Sequence, residues 1–217
     1  MKYFPHIIII FLFTLGCSFQ APERQWQIRS KSAFNSYTTN FLSGHSVMAT
    51  NDLNRAIKHI NVTADLNKLA KLYLSVCALN IAVGINDQCN DYLELQDLVN
   101  NKKLFSYYNL LQNKLDTKDI INLPLHYQAY AKNVINHEYI KAFKALELMN
   151  KPNSRFVAAG IIKNKLTSSQ RDKLIQDASF YGYKKIVIFW LEQSLKLSDD
   201  FNEKKHLMKK IKILKNN

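Results

Sequence analysis

Glycine and proline are scarce in this sequence, which has only five Gly and four Pro among 217 residues. Folds with many tight turns, such as β-sandwiches, use both residues often, whereas the interiors of helices exclude them. Leucine, lysine, alanine, asparagine and isoleucine are common instead. The composition therefore predicts an all-α fold.

Sequence signatures of the common enzyme classes are also missing. No Walker loop, GxGxxG or GxSxG motif occurs, and His137-Glu138 begins an HExxH zinc motif whose fifth position is Lys141. Glu94 and Glu138 have no second carboxylate at a defined spacing, so we interpret them as solvated helix residues. An isolated general acid of a glycan-cleaving enzyme is the alternative. We predict no enzymatic activity, no cofactor and no metal site.

Acidic residues are few relative to basic ones. The chain has 30 Lys and Arg against 17 Asp and Glu, a formal net charge of +13. An excess of this size attracts anionic lipids, glycans or nucleic acid, although it does not determine the fold. Hydrophobic residues make up 47% of the chain, which favours folding over disorder and predicts one domain with a substantial core.

The apolar run near the N-terminus is too short to cross a membrane. It extends from Ile7 to Leu15, and its roughly 10 residues fall short of the ~20 that span a bilayer core. The run closes on Leu15-Gly16-Cys17, a small residue followed by a thiol. Residues 1–16 are therefore predicted to be a cleaved secretory signal peptide.

The sequence Leu15-Gly16-Cys17 resembles the lipobox of bacterial lipoproteins. The resemblance implies that Cys17 is lipidated and becomes the mature N-terminus, with residues 17–22 as a short spacer and 23–217 as one α-helical domain. Ser18 is not the aspartate associated with inner-membrane retention, so the resemblance implies an outer-membrane protein that faces the periplasm. A plain signal peptide, or an uncleaved anchor with an unrelated cysteine, is the alternative.

Hydrophobic residues recur at helical spacing along the rest of the chain, separated by short turn sequences. Short connections make successive helices antiparallel neighbours. The predicted helices are Gln20–Leu42, Ala49–Ile60, Ala64–Val83, Asp87–Val99, Lys103–Leu115, Pro124–Asn136, His137–Met149, Asn153–Leu166, Ser168–Tyr181, Tyr183–Leu197 and Phe201–Leu214.

The predicted helix Ala64–Val83 is apolar nearly all round. Such a helix lies inside a helical layer, flanked on more than one side. Lys71 and Asn80 interrupt its apolar run, which argues against the alternative of a transmembrane span. We therefore expect this helix to be the most buried one.

Parts of the predicted hairpins carry small and medium-sized residues where closely packed helices need them. The residues are Leu174, Val187, Leu191, Ser194 and Leu195, with Tyr183-Lys184-Lys185 at the turn, then Gly44, Ala56 and Ile60, and Ala142 with Leu146. These stretches resemble tetratricopeptide repeats. The resemblance implies antiparallel helical hairpins stacked as an array, and an irregular bundle of the same helices is the alternative.

Two cysteines, Cys77 and Cys89, remain beyond the lipobox-like sequence and lie about a dozen residues apart in neighbouring predicted helices. Cysteines of exported proteins commonly form disulfides, and this pair reaches bonding distance if both side chains face the interior of the hairpin. We predict a Cys77–Cys89 disulfide. Two buried free thiols are the alternative, and no CxxC motif or histidine cluster indicates a metal.

Tyr127 and Tyr130 form the first candidate binding surface, because they share one face of a predicted helix with Val134. Aromatic residues on the concave face of a helical protein receive peptides or unstructured partners. At this spacing aromatic residues also fill the core, which is the alternative interpretation.

Lys209, Lys210 and Lys212 form the second candidate surface, on the last predicted helix. An apolar stripe of Leu207, Ile211 and Leu214 marks the other face of that helix. The helix is either a cap packed on Tyr183–Leu197 or a basic amphipathic segment that touches anionic headgroups.

Together these observations predict a lipid-anchored α-helical scaffold that binds another envelope protein. The alternative, from a different class, is a binder of anionic polymer or lipid, including nucleic acid, through the lysine-rich surface. An unrecognised cell-wall enzyme is the third hypothesis. Binding to a polyanion weakens steeply with salt, which separates the second hypothesis from the first.

Overall fold

The computed structural model describes residues Arg24–Asn216, so the signal peptide, Cys17 and the spacer lie outside the described residues. Between Arg24 and Asn216 the chain is all-α and has no β-strand. The α-helices are α1 Gln25–Ser43, α2 Ser46–Asn61, α3 Leu66–Ala82, α4 Asn90–Val99, α5 Lys102–Leu111, α6 Leu125–Ile135, α7 Tyr139–Glu147, α8 Pro152–Ile161, α9 Ser168–Phe180, α10 Lys184–Leu197 and α11 Phe201–Asn216. Short 3₁₀ turns cover Thr117–Asn122 and Lys163–Lys165.

The predicted order of helices is confirmed, and the predicted stop and start residues act as expected. Gly44 and Gly84 follow α1 and α3 with φ of 92° and 85°, the left-handed conformation that ends many helices. Thr167 Oγ1 accepts a hydrogen bond from Gln170 N at 3.3 Å, and Gln170 Oε1 accepts one from Thr167 N at 2.9 Å. This reciprocal pair is the capping box that begins α9.

Three helices begin later than predicted because a residue with positive φ lies at or near their predicted start. Ala64 has φ 51°, so α3 begins at Leu66 rather than at Ala64. Cys89 has φ 59°, so α4 begins at Asn90 rather than at Asp87. His137 has φ 60°, so α7 begins at Tyr139. A left-handed residue cannot be part of a right-handed helix.

The central helix is α3, which packs against α2, α4, α5 and α8. Ala70, Leu74 and Ala82 on this helix are at most 1% exposed. The expectation that Ala64–Val83 is flanked on several sides is confirmed. On the opposing helix α8, Gly160 allows a close approach to α3.

Several contacts join helices that are distant in sequence. α3 packs on α8, and α1 packs on α10, where Lys185 Nζ lies 3.9 Å from the centre of the Phe41 ring. In an open array of hairpins each repeat contacts only its neighbours. Contacts of this kind are typical of a bundle, and the tetratricopeptide resemblance stays a prediction.

The predicted disulfide is present between Cys77 of α3 and Cys89, whose Cα atoms are 5.2 Å apart. The carboxylate of Asp87 accepts hydrogen bonds from Cys89 N and from Asn80 Nδ2, each at 2.7 Å. A covalent bond and the hydrogen bonds of a partly buried carboxylate therefore fix the loop that joins α3 to α4.

None of the helices between Arg24 and Asn216 combines the length and the apolar character needed to cross a bilayer.

Candidate binding site: a lysine-lined groove

A groove of about 650 Å³ opens between α3, α5, α6 and α8. Its floor is apolar and includes Leu74, Leu104 and Leu123. Ile121 and Leu125 also line the groove, and their side chains are 80% and 83% exposed. The groove therefore offers an apolar surface that is open to a ligand from solvent.

Lys71, Lys103 and Lys151 line this cavity, which we call the lysine groove, and its lining contains no carboxylate. All three are exposed, and none forms an ion pair with a carboxylate between Arg24 and Asn216. Other lysines do find such partners, as Lys141 does with Glu138 at 2.6 Å. Like charges gathered in a concave surface with a low-dielectric wall focus a positive potential on the space between them.

Helices α6 and α8 begin at the lysine groove. The residues before them, Pro124 and Lys151, line the groove, and neither helix has a side-chain cap on its first N–H groups. By contrast, the Asn101 side chain caps α5, which also begins there. Uncapped N–H groups carry partial positive charge and favour an anion. The two helix starts therefore add to the positive potential of the lysines.

His126 also lines the lysine groove, with its Nε2 3.2 Å from Ser154 Oγ. Burial, and secondly the positive charge of Lys151, lowers the pKa of His126. A histidine of this kind is mostly neutral at pH 7 and gains a proton more readily when an anion approaches. His126 therefore adds a titratable donor to the lysine groove.

The His126–Ser154 pair has the two atoms of a nucleophile and its base. In a catalytic triad a carboxylate on the other ring nitrogen holds the base in the correct tautomer. Within Arg24–Asn216 no carboxylate accompanies the His126 ring. We therefore describe this pair as part of the polar lining of the groove.

Both tyrosines of the first candidate binding surface, Tyr127 and Tyr130, are buried in the structure, as the alternative interpretation of this pair expects. Tyr130 is fully buried, and its hydroxyl donates to the carbonyl oxygen of Ala158 at 2.6 Å. Tyr127 is 3% exposed and donates to the carbonyl oxygen of Ser154 at 3.4 Å. Burial raises the pKa of both hydroxyls. The two tyrosines fix α6 to α8, and of this pair only Tyr127 reaches the wall of the lysine groove.

A second cavity, of about 480 Å³, lies between α1 and α3. We call it the tryptophan groove, because Trp26 and Phe34 form its aromatic wall. Lys68 Nζ lies 4.6 Å from the centre of the Trp26 ring, and the lining contains no carboxylate. Lys71 and Ser75 of α3 line both cavities. The two grooves therefore adjoin each other along the exposed face of the central helix.

The lysines of the predicted second surface lie elsewhere in the molecule. Lys209, Lys210 and Lys212 are exposed on α11 and line neither groove. Leu207 and Ile211 are buried on the other face of α11, which packs on α10. The predicted apolar stripe is thus confirmed, and the three lysines project into solvent.

The sequence does not single out the lysines of the lysine groove. Lys71, Lys103 and Lys151 belong to different helices or helix starts and share no motif. The available signal is Pro124, which marks the start of α6 and so marks backbone N–H groups that no side chain caps.

Comparison of the chain with protein-family models, with curated proteins and with solved structures gives no match in any of the three.

Proposed function

We propose that this chain is a lipid-anchored envelope protein whose lysine groove binds an acidic segment of another envelope protein. The observation that carries the proposal is a groove lined by Lys71, Lys103 and Lys151 and by no carboxylate. The lipid anchor rests on the resemblance of Leu15-Gly16-Cys17 to a lipobox.

The apolar part of the groove favours a protein segment over a simple polyanion. Leu104 and Leu123 form an apolar floor, and Leu125 is exposed beside it. A segment that carries both carboxylates and apolar side chains forms ion pairs with the lysines and covers the apolar floor. Charge complementarity supplies orientation and a fast encounter, and apolar burial supplies affinity.

Site-specific photocrosslinking in cells that express the full chain tests the proposal. Benzoylphenylalanine replaces the exposed Leu125 at the groove, and a control protein carries it in place of Leu148, which is 82% exposed and lines neither groove. We expect a protein adduct from position 125 whose crosslinked segment is rich in Asp and Glu. Position 148 should not yield the same adduct.

Charge removal then shows whether the lysines are responsible. Combined replacement of Lys71, Lys103 and Lys151 by alanine should abolish the adduct. Combined replacement of Lys209, Lys210 and Lys212 by alanine removes the same charge and should preserve it. An adduct that survives the first set, or one that nuclease digestion removes, would overturn the proposal.

The second candidate function is contact with anionic lipid through α11. Phe201 and Met208 of this helix are 77% and 53% exposed. Lys209 and Lys212 of the same helix are also exposed. Exposed apolar and basic residues on one helix are typical of segments that lie on a membrane surface.

A further inference from the structure

We propose that the lysine groove and the tryptophan groove are two halves of one binding track for an extended segment. This inference rests on the proposed function of the lysine groove and adds the length and the residue pattern of its ligand. The track crosses α3, whose Lys71 and Ser75 belong to the lining of both grooves.

The chemistry of the track is the same on both sides of α3. Each groove combines lysine with apolar side chains and lacks a carboxylate in its lining. In the tryptophan groove the apolar wall is Phe34, Leu72 and Trp26. A single acidic ligand can therefore continue from one groove to the other along a lining that contains lysines and no carboxylate, although Lys68 is paired with Asp65 beside the tryptophan groove.

The position of Lys71 in the middle of the track defines the pattern of the ligand. An acidic side chain over Lys71 would be flanked on one side by an apolar side chain on Leu104 and on the other by one on Phe34. A second acidic side chain reaches Lys103 or Lys151. The ligand is thus an extended acidic segment with apolar residues on both sides of its central carboxylate.

The width of the track sets a minimum length for that segment. Axes of packed helices lie about 8–10 Å apart, and α3 packs on α5 whereas α1 lies further from α3 across the tryptophan groove, so a path from α1 over α3 to α5 is at least about 20 Å long. An extended chain covers about 3.3 Å per residue, which gives a segment of about six residues. A segment shorter than this occupies only one of the two grooves.

Photocrosslinking from both grooves of the full chain tests the continuity of the track. Benzoylphenylalanine replaces Trp26 in one protein, which keeps an aromatic ring in the tryptophan groove, and Leu125 in another. We expect both positions to crosslink the same segment of one partner, at residues that are at least about six positions apart along that segment. Thermal unfolding followed by circular dichroism confirms that each protein is folded.

The possible results separate this inference from the proposed function. An adduct from position 125 alone, or adducts to unrelated segments from the two positions, overturns the single track and leaves the proposed function intact. Absence of an acidic-segment adduct from position 125 overturns both.

A binding assay with the synthetic crosslinked segment gives an independent measurement. Trp26→Ala in the full chain should weaken its binding at least tenfold, whereas Lys209→Ala should leave it unchanged. Equal affinities for the Trp26→Ala protein and the wild type would overturn the inference.

Discussion

Gly160 of α8 lies directly on the backbone of Ile81 in α3, so that a Cβ at position 160 would be 2.5 Å from the Ile81 carbonyl oxygen. Cβ atoms in proteins essentially never come this close to another heavy atom, and the obstructing atom belongs to the backbone of the central helix. The lack of a side chain at position 160 therefore sets how closely α8 and α3 approach each other. This close packing brings Lys151, at the start of α8, to the same groove as Lys71 of α3.

Replacement of this glycine by alanine should destabilise the protein by about 1–3 kcal/mol, because it forces the two helices apart. Helix propensity alone predicts the opposite sign, since alanine favours a helix interior by about 1 kcal/mol over glycine. Denaturant unfolding of Gly160→Ala measures the sign directly. A stabilised variant would show that α8 shifts to accommodate the added methyl group without a loss of stability.

Loss of the Cys77–Cys89 bond should lower the free energy of unfolding by about 2–3 kcal/mol, because the bond constrains the unfolded chain. Denaturant unfolding of the wild type with and without reductant measures the difference. The double variant Cys77→Ser, Cys89→Ser serves as a control and should be insensitive to reductant. Equal midpoints for the oxidised and reduced wild type would contradict the prediction.

The lipid anchor is tested at Cys17, outside the described residues. Cys17→Ala should leave an unprocessed precursor or release the protein from the membrane fraction. Mass spectrometry and fractionation of cells measure both outcomes, with Cys77→Ala as a control that retains the lipobox-like sequence. A variant with the mass shift of the substitution alone and an unchanged membrane fraction would exclude a lipid on Cys17.

The exposed lysines of α11 are tested with anionic vesicles. Changing Lys209, Lys210 and Lys212 together to Gln should leave the midpoint of thermal unfolding nearly unchanged, since none of them forms an ion pair within Arg24–Asn216. If α11 touches the membrane, each lysine near the surface contributes about 1 kcal/mol to binding. The triple variant should then bind anionic vesicles more weakly at low salt than the protein with all three lysines, when both carry Cys17→Ala. Equal binding by both Cys17→Ala proteins would leave α11 with a packing role only.

Protonation of His126 should make the protein less stable as the pH falls. Burial and the charge of Lys151 lower its pKa in the folded state, so the unfolded chain binds this proton more readily. The contribution of neutral His126 to the free energy of unfolding is complete above the ordinary histidine pKa of about 6.5. This contribution is lost as the pH falls from there through the lowered pKa of the folded state. The wild type should therefore lose more thermal stability than His126→Gln between pH 8 and pH 5. Parallel midpoints for the two proteins across this range would contradict the assignment.

The sequence by itself determined the helices, because their signals are local. The apolar periodicity, the Thr167–Gln170 capping box and the glycines after α1 and α3 each act within a few residues of where they stand. The disulfide was predictable for a related reason, since Cys77 lies on α3 and Cys89 directly precedes α4, and an antiparallel pairing of these helices brings the two cysteines close when both side chains face the interior.

Only the tertiary structure decided which residues form the grooves. Tyr127 and Tyr130 read from the sequence as a shared face, and the structure packs that face against α8 instead of exposing it to a partner. Whether a helix face is covered depends on which distant helix approaches it, and the packing of α8 on α3 and of α10 on α1 leaves no local mark in the sequence. Lys71, Lys103 and Lys151 meet only because of that packing. A charged side chain in solvent has no preferred partner in the sequence. Which charged side chains lie near one another therefore depends on the positions of the helices, and the burial of apolar residues determines those positions.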